Sequence, residues 1–212
     1  MEQNMDKIIT IALPKGRIAD EVLAIMGQIF NDDFNFLDRK LILQKGDFRF
    51  LLVRNQDVPS YVLHQAADLG VVGLDVLEEN RLDIIRLLDL QIGKCKVVLG
   101  SKNDEVLDFN KPQIKIATKM PNITRDFFSK KAVATEIIKL YGSIELAPLV
   151  GLADGIVDIV ETGSTMKQHN LKIDEVIMES SAFLIANQNS FYAKKTQILD
   201  LYKKFESVIR ES

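Results

Sequence analysis

The 212-residue chain has little that would suggest metal or thiol chemistry. Cys95 is the single cysteine, so no intrachain disulfide can form. The two histidines, His64 and His169, cannot complete a Cys/His zinc site with it at any usual spacing. A positive field is also missing: net charge is −3, which argues against a nucleic-acid partner, though a local anion site is compatible with it. No apolar run is long and charge-free enough to span a bilayer. The opening "MEQNMDKIITIALPKGR" lacks the basic n-region of a signal peptide. These absences point to a cytoplasmic protein without a membrane partner. Walker A and G-x-G-x-x-G sequences are lacking, and no Ser/His/Asp or Cys/His arrangement stands out. His64, in a predicted helix, and His169, near a helix end, read as structural or solvated.

What is present is the composition of a folded α/β chain: 47% hydrophobic and 27% charged residues, long enough for one large domain or two small lobes. "IITIAL" (8–13) has no clean alternation, which suits a strand buried on both faces. Ile18, Val22, Ile25, Met26 and Ile29 then recur at helical spacing. "KLILQKGDFRFLLVR" predicts two strands about a turn at Lys45–Asp47. "DVPSYVLHQAA" predicts a helix with Asp57 as N-cap and Pro59 in its first turn. "DLGVVG" and "KCKVVLGS" read as strands, and "LDVLEENRL" as a short helix. The second half repeats the theme. "QIKIATKMPNITRDFFSKKA" reads as strand, loop, helix. "GSIELAPLVGLADGIVDIVETGSTMKQHNL" reads as strand, helix, strand, loop, helix. Ala67-Asp68 and Ala153-Asp154 each precede a buried strand, a weak internal repeat. "SKNDEVLDFNKP" is polar enough to mark a boundary. Lys195–Ile209 has a helical stripe that would pack back on the first lobe. The expected organisation is lobe I over 1–100 with a return segment 187–212, and lobe II over 101–186. A cleft between the lobes would suit a small ligand.

The chemistry lies in loops after strands. In "DIVETGSTMKQHN" (Asp158–Asn170) a buried run gives way to Thr162-Gly163-Ser164-Thr165. A helix beginning near Ser164 would offer free backbone N–H groups, Gly163 would permit close approach, and the hydroxyls would add donors. That suits a phosphate monoester, with Asp158 and Glu161 placed to accept from a ribose diol. An ordinary helix cap explains the same residues. Asp154, at the head of the same strand, joins the expected substrate-binding set. "LPKGR" places Lys15 and Arg17 around a glycine; alone it reads as a solvated turn. "ATKMPNITRDFF", with Lys119 and Arg125, also reads as a turn with a capped helix. Arg39 and Arg54 flank the hairpin strands, and guanidinium forks suit phosphate or pyrophosphate. Several anion-ready loops after strands lie where open α/β sheets bind ligands.

Together "ALPKGRI", "DVPSYVLHQAADLGVVGLDVL", "IKIATKMPNITRDFF", "IIKLYGSIELAPLVGLADGIVDIVETGSTM" and "FLIANQNS" resemble the ATP phosphoribosyltransferases of histidine biosynthesis, short form, over nearly the whole chain. The resemblance implies two periplasmic-binding-protein-like (type II) α/β lobes with a central cleft. It implies attack of ATP N1 on the anomeric carbon of phosphoribosyl pyrophosphate, with Mg²⁺-bound pyrophosphate leaving. Thr162–Thr165 would hold the 5′-phosphate, with Asp158 and Glu161 near the ribose hydroxyls. Lys15, Arg17, Arg39 and Arg54 would be the catalytic cations facing the polyphosphates, and no protein side chain is assigned to the metal. Met120 and Ser164 depart from residues common in the family. A chain ending at Ser212 would lack a histidine-sensing domain. A catalytic homodimer in a hetero-octamer with a histidyl-tRNA-synthetase-like regulatory subunit is then implied. Two rivals carry different expectations: a non-catalytic solute-sensing protein of the same fold, and a phosphoribosyltransferase acting on a free base.

Overall fold

In the computed structural model, residues 8–37 and 39–211 are described; residues 1–7, on which the expectation of no signal peptide partly falls, lie outside them. The chain divides into two compact units. Unit 1 comprises the chain up to Leu77, Arg81–Gly93 and Ser181 onward; unit 2 comprises Glu78–Asn80 and Lys94–Ser180.

Unit 1 is built on a six-stranded sheet in the order β2-β3-β1-β4-β11-β5. Its strands are β1 (Ile9–Pro14), β2 (Ile42–Lys45), β3 (Phe48–Val53), β4 (Leu69–Gly73), β5 (Ile85–Asp89) and β11 (Ala182–Ala186). β1 pairs in parallel with β3 and β4, while β11 runs antiparallel to β4 and β5. The unbroken apolar character of "IITIAL" has a direct cause. Ile9, Ile11 and Leu13 enter one core with helix α1 (Arg17–Phe30) and helix α8 (Lys195–Glu211), while Ala12 enters another with helix α2 (Val58–Leu63). Phe30, Phe34, Phe48 and Phe50 pack edge-on and tilted in the first core. Phe50 is fully buried, worth roughly 1.5–3 kcal/mol relative to exposure. Ile198, Leu201 and Phe205 bring α8 into the same core, as their spacing predicts. Helix α7 (Gln188–Ala193) also belongs to unit 1, while helix α3 (Leu74–Asn80) begins in unit 1 and ends with Glu78–Asn80 of unit 2.

Unit 2 has a five-stranded sheet in the order β10-β6-β9-β7-β8. The strands are β6 (Cys95–Lys102), β7 (Ile114–Thr118), β8 (Thr135–Lys139), β9 (Gly155–Val160) and β10 (Leu171–Ser180). β7 is parallel to β8 and β9; β6 is antiparallel to β9 and β10. Helix α4 (Pro121–Lys130) covers one face through Ile123 and Phe128. Helices α5 (Leu146–Leu149) and α6 (Ser164–Gln168) cover the other through Ala147 and Met166.

The expected boundaries at 100/101 and 186/187 differ from those observed, because hydrogen bonding assigns strands by partner. β6 belongs to unit 2 through β9 and β10, and β11 to unit 1 through β4 and β5. "SKNDEVLDFNKP" holds the end of β6 and a loop of unit 2, since Leu107 is buried in that unit's core. The strand expected at the start of "GSIEL" is absent; the strand in that region is β8, over Thr135–Lys139.

Candidate active site

In unit 2 the parallel strands β7 and β9 end side by side, with Thr118 opposite Val157. One residue further on, Lys119 and Asp158 form an ion pair at 3.1 Å. By the alternation of a strand these side chains share the face of Ala117 and Ile156, the face covered by α5 and α6. Asp158 Oδ1 also accepts from the Ile159 amide at 2.8 Å.

β9 then runs into the glycine-hydroxyl loop. Gly163 takes φ +75°, the left-handed region that glycine reaches without strain, and caps α6, which starts at Ser164. Thr162 Oγ1 donates to Ser164 Oγ at 3.1 Å and receives a long contact from the Ser164 amide at 3.4 Å. Thr162, Ser164 and Thr165 are exposed, while Met166 is buried and fastens α6 to the sheet. With five residues α6 has only a small dipole, so anion recognition here rests on local amides and hydroxyls. Glu161 is exposed at the same strand end.

Asp154 is not brought to this loop. It lies at the other end of β9, where its Oδ2 accepts from the Lys115 amide at 2.7 Å and its Oδ1 meets Lys111 at 2.8 Å. The Lys111 ammonium, then the Lys115 amide, hold its carboxyl below the ordinary aspartate range. The expected substrate contact gives way to a structural one, because the strand's full length separates Asp154 from the loop. Asp68 repeats the arrangement in unit 1. Its amide donates to Thr10 O at 2.8 Å, its Oδ2 accepts from the Thr10 amide at 2.8 Å, and Lys194 pairs with that oxygen at 2.8 Å. The Asp154 amide likewise donates to Lys115 O. The Ala-Asp repeat is therefore a repeated strand-start staple.

The loop after β7 settles as a capped helix. Glu79, within unit 2, accepts from the amides of Asn122 and Ile123 at 3.0 Å each through Oε2, filling the start of α4. Asn122 Nδ2 donates to Glu79 O, and Arg125 donates to Asn122 Oδ1. No sequence signal connects residues so far apart to one cap. Lys119, treated with that loop as bland, is the member it contributes to the Asp158 strand end.

In unit 1 the ends of β1 and β3 gather the remaining candidates. Lys15 follows β1 and its amide donates to Val53 O at 2.9 Å; Arg54 follows β3 directly. Gly16, at φ +103°, turns the chain into α1, whose first residue is Arg17. Arg17 meets Glu21 at 3.5 Å. Arg39 precedes β2 at the same end of the hairpin, since Leu41 O accepts from Leu52. All four cations are exposed. His64 is an exposed helix end, and His169 lies 3.9 Å from Glu145.

Comparison with known proteins decides what this arrangement serves. A family model described as HisG, ATP phosphoribosyltransferase, matches residues 54–207. The chain belongs to the ATP phosphoribosyltransferase family. The "ATP phosphoribosyltransferase" of Wolinella succinogenes is 68% identical over 201 residues, covering 95% of this chain and 98% of that one. The solved structure of the "ATP phosphoribosyl transferase (HisG:HisZ) complex from Thermotoga maritima" matches with TM-score 0.84 and 32% identity, over 97% of this chain and 100% of that one. The L-arginine-bound Tv2483 structure matches with TM-score 0.62 at 13% identity, over 99% of this chain and 86% of that one, a likeness of fold alone. The fold is thus α/β with two sheet-containing lobes of the periplasmic-binding-protein-like type II kind. Family membership carries the activity: this is a phosphoribosyl-transferring enzyme of histidine biosynthesis that uses ATP, and the solute-sensing alternative falls away. Mg²⁺ dependence belongs to the family in general. Among the described residues no helix is long and apolar enough to cross a membrane.

Proposed function

We propose that the β9–α6 loop is the phosphoribosyl site and that unit 1 supplies the cations for the polyphosphates. Thr162, Gly163, Ser164 and Thr165 hold the 5′-phosphate through hydroxyls and local amides. Asp158 and Glu161 accept hydrogen bonds from the ribose hydroxyls. Lys15, Arg17, Arg39 and Arg54 stabilise the charge of the departing pyrophosphate and of the ATP triphosphate. Adenine N1 attacks with its own lone pair, forming the N1–C1 bond. The C1–O bond breaks, and its electron pair leaves on pyrophosphate, giving N1-(5-phosphoribosyl)-ATP. The nucleophile needs no deprotonation, which suits a site of cations, hydroxyls and amides. The observation that carries this reading is the continuity of β9 into an exposed hydroxyl-glycine turn with Asp158 on the same strand end.

Among the described residues no three His, Cys, Asp or Glu side chains stand together as a metal cage. The hydroxyls, amides and cations of the site fit a Mg²⁺ that keeps water and phosphate ligands, with no residue of this chain required to hold it. Bound in that way, it supplies charge neutralisation of the pyrophosphate. The enzyme acts in the cytoplasm as a catalytic homodimer within a hetero-octamer, its partner a histidyl-tRNA-synthetase-like regulatory subunit. The likeness to the HisG chain of a HisG:HisZ complex supports such a partner.

The test is a spectrophotometric assay of the purified protein with ATP, phosphoribosyl pyrophosphate, Mg²⁺ and added pyrophosphatase, with and without histidine at about 1 mM. Product formed from ATP and indifferent to histidine is the expected result. Product from a free base and none from ATP would overturn it.

A further inference from the structure

Asp158 presents its two carboxylate oxygens unequally. Oδ1 is engaged twice, by the Ile159 amide at 2.8 Å and by Lys119 Nζ at 3.1 Å. Oδ2 has no partner among the described residues. One oxygen is pinned and the other is offered.

Lys119 is itself held in place from both sides. Thr118 is fully buried; its Oγ1 donates to Val157 O at 2.7 Å and accepts from the Met120 amide at 2.9 Å. Met120 is buried too, and its carbonyl accepts from Thr124 Oγ1 at 2.7 Å. Of these three consecutive residues, only Lys119 turns outward, and the parallel register of β7 and β9 sets it beside Asp158. Its side chain is 31% exposed and that of Asp158 21%. A pair this accessible contributes little to folding stability, about 0–1 kcal/mol. Such an arrangement does more for geometry than for stability. It holds one carboxylate oxygen and leaves the other available to a ligand.

We infer that Lys119 is a positioning residue for ribose recognition: by pinning Asp158 Oδ1 it presents Oδ2, with two lone pairs, to the vicinal hydroxyls of the phosphoribosyl group. This rests on the assignment of the β9–α6 loop to that group and adds the residue that makes the site selective for a sugar carrying its 2-hydroxyl. Hydrogen bonds to a charged acceptor are the strong ones, and they lose directional value when the acceptor can rotate.

Equilibrium binding of ribose 5-phosphate and 2-deoxyribose 5-phosphate to the full chain tests it, with KM and kcat measured for phosphoribosyl pyrophosphate at saturating ATP. The native protein should prefer the ribose form by about tenfold, the worth of one charge-assisted hydrogen bond. Lys119→Met and Asp158→Asn should each bring the ratio near one while leaving the deoxy sugar's affinity within about threefold, since the phosphate contacts remain. Lys119→Arg should restore much of the preference, and the double variant should lose little more than either single one. Melting temperatures should stay within about 1 °C throughout. A Lys119→Met protein that keeps the native preference, or that binds both sugars equally more weakly, would overturn the inference. Failure of the native protein to bind either sugar phosphate would overturn the site assignment itself.

Discussion

At the scale of single residues, Gly163 separates charge from shape. Its φ of +75° favours glycine, yet a Cβ there would meet only Ile173 Cδ1, at 3.6 Å, an ordinary contact. Asn and Asp are the side chains best tolerated in that conformation. Gly163→Asp should therefore fold and abolish turnover, because it brings a carboxylate among the phosphate donors. Gly163→Asn, nearly the same size and uncharged, should keep measurable activity; equal loss in the two variants would show that shape, not charge, matters. Asp154 offers the opposite test. Asp154→Asn should lower unfolding free energy by about 1–2 kcal/mol in urea titration while leaving KM for both substrates unchanged. Because its folded pKa is depressed, chiefly by Lys111, its contribution is fully present above the ordinary aspartate range near pH 4 and fades as pH falls below it. The difference between native and Asp154→Asn proteins should accordingly shrink in acid.

Among the elements, α6 depends on what lies under it. A Cβ on Gly100 of β6 would collide with Met166 Cε and come within 2.8 Å of Lys172 O. Gly100→Ala should force Met166 out of its seat, destabilising the protein by about 1–3 kcal/mol and raising KM for phosphoribosyl pyrophosphate more than KM for ATP. Parallel changes in both constants would count against a local effect. The elements also show what the sequence could reveal. β1, the β2–β3 hairpin, β4, β6, β7, β9 and most flanking helices were legible because burial on both faces, the turn at Lys45–Asp47 or a helical stripe writes itself into the residues. β5, β8, β10 and β11 were not. The first three are sheet edges, and Arg86, Glu136, Asp174 and Glu175 interrupt their apolar pattern. β11 is central and buried, but its five-residue apolar run is too short to tell a strand from a helix. The loop 162–165 was legible from its hydroxyls and glycine. Lys119 as the partner of Asp158 was not, because the parallel register that joins them is a property of the sheet. The same holds for Glu79 at α4, while Asp154, expected among the substrate-binding residues, sits at the start of β9 with Lys111 and the Lys115 amide.

For the molecule as a whole, the C-terminal return adds a part-buried pair to the core contacts of α8. Lys194 donates to Ile8 O and Asp68 Oδ2, with side-chain exposures of 18% and 12% for the lysine and the aspartate. Lys194→Met would remove the ammonium from Asp68 and should cost about 1–3 kcal/mol, read as a lower urea midpoint with an unchanged slope. A fall in slope would instead mean that α8 had come away separately. The strand order of unit 1 has a consequence for synthesis. β11 lies between β4 and β5, yet its residues, Ala182–Ala186, are made after the whole of unit 2's sheet. At about 5–20 residues per second, β4 and β5 wait on the order of ten seconds for the strand that joins them. Throughout that interval the nascent chain exposes an unpaired β4 edge rich in valine, while the later-made unit has every strand it needs to close first.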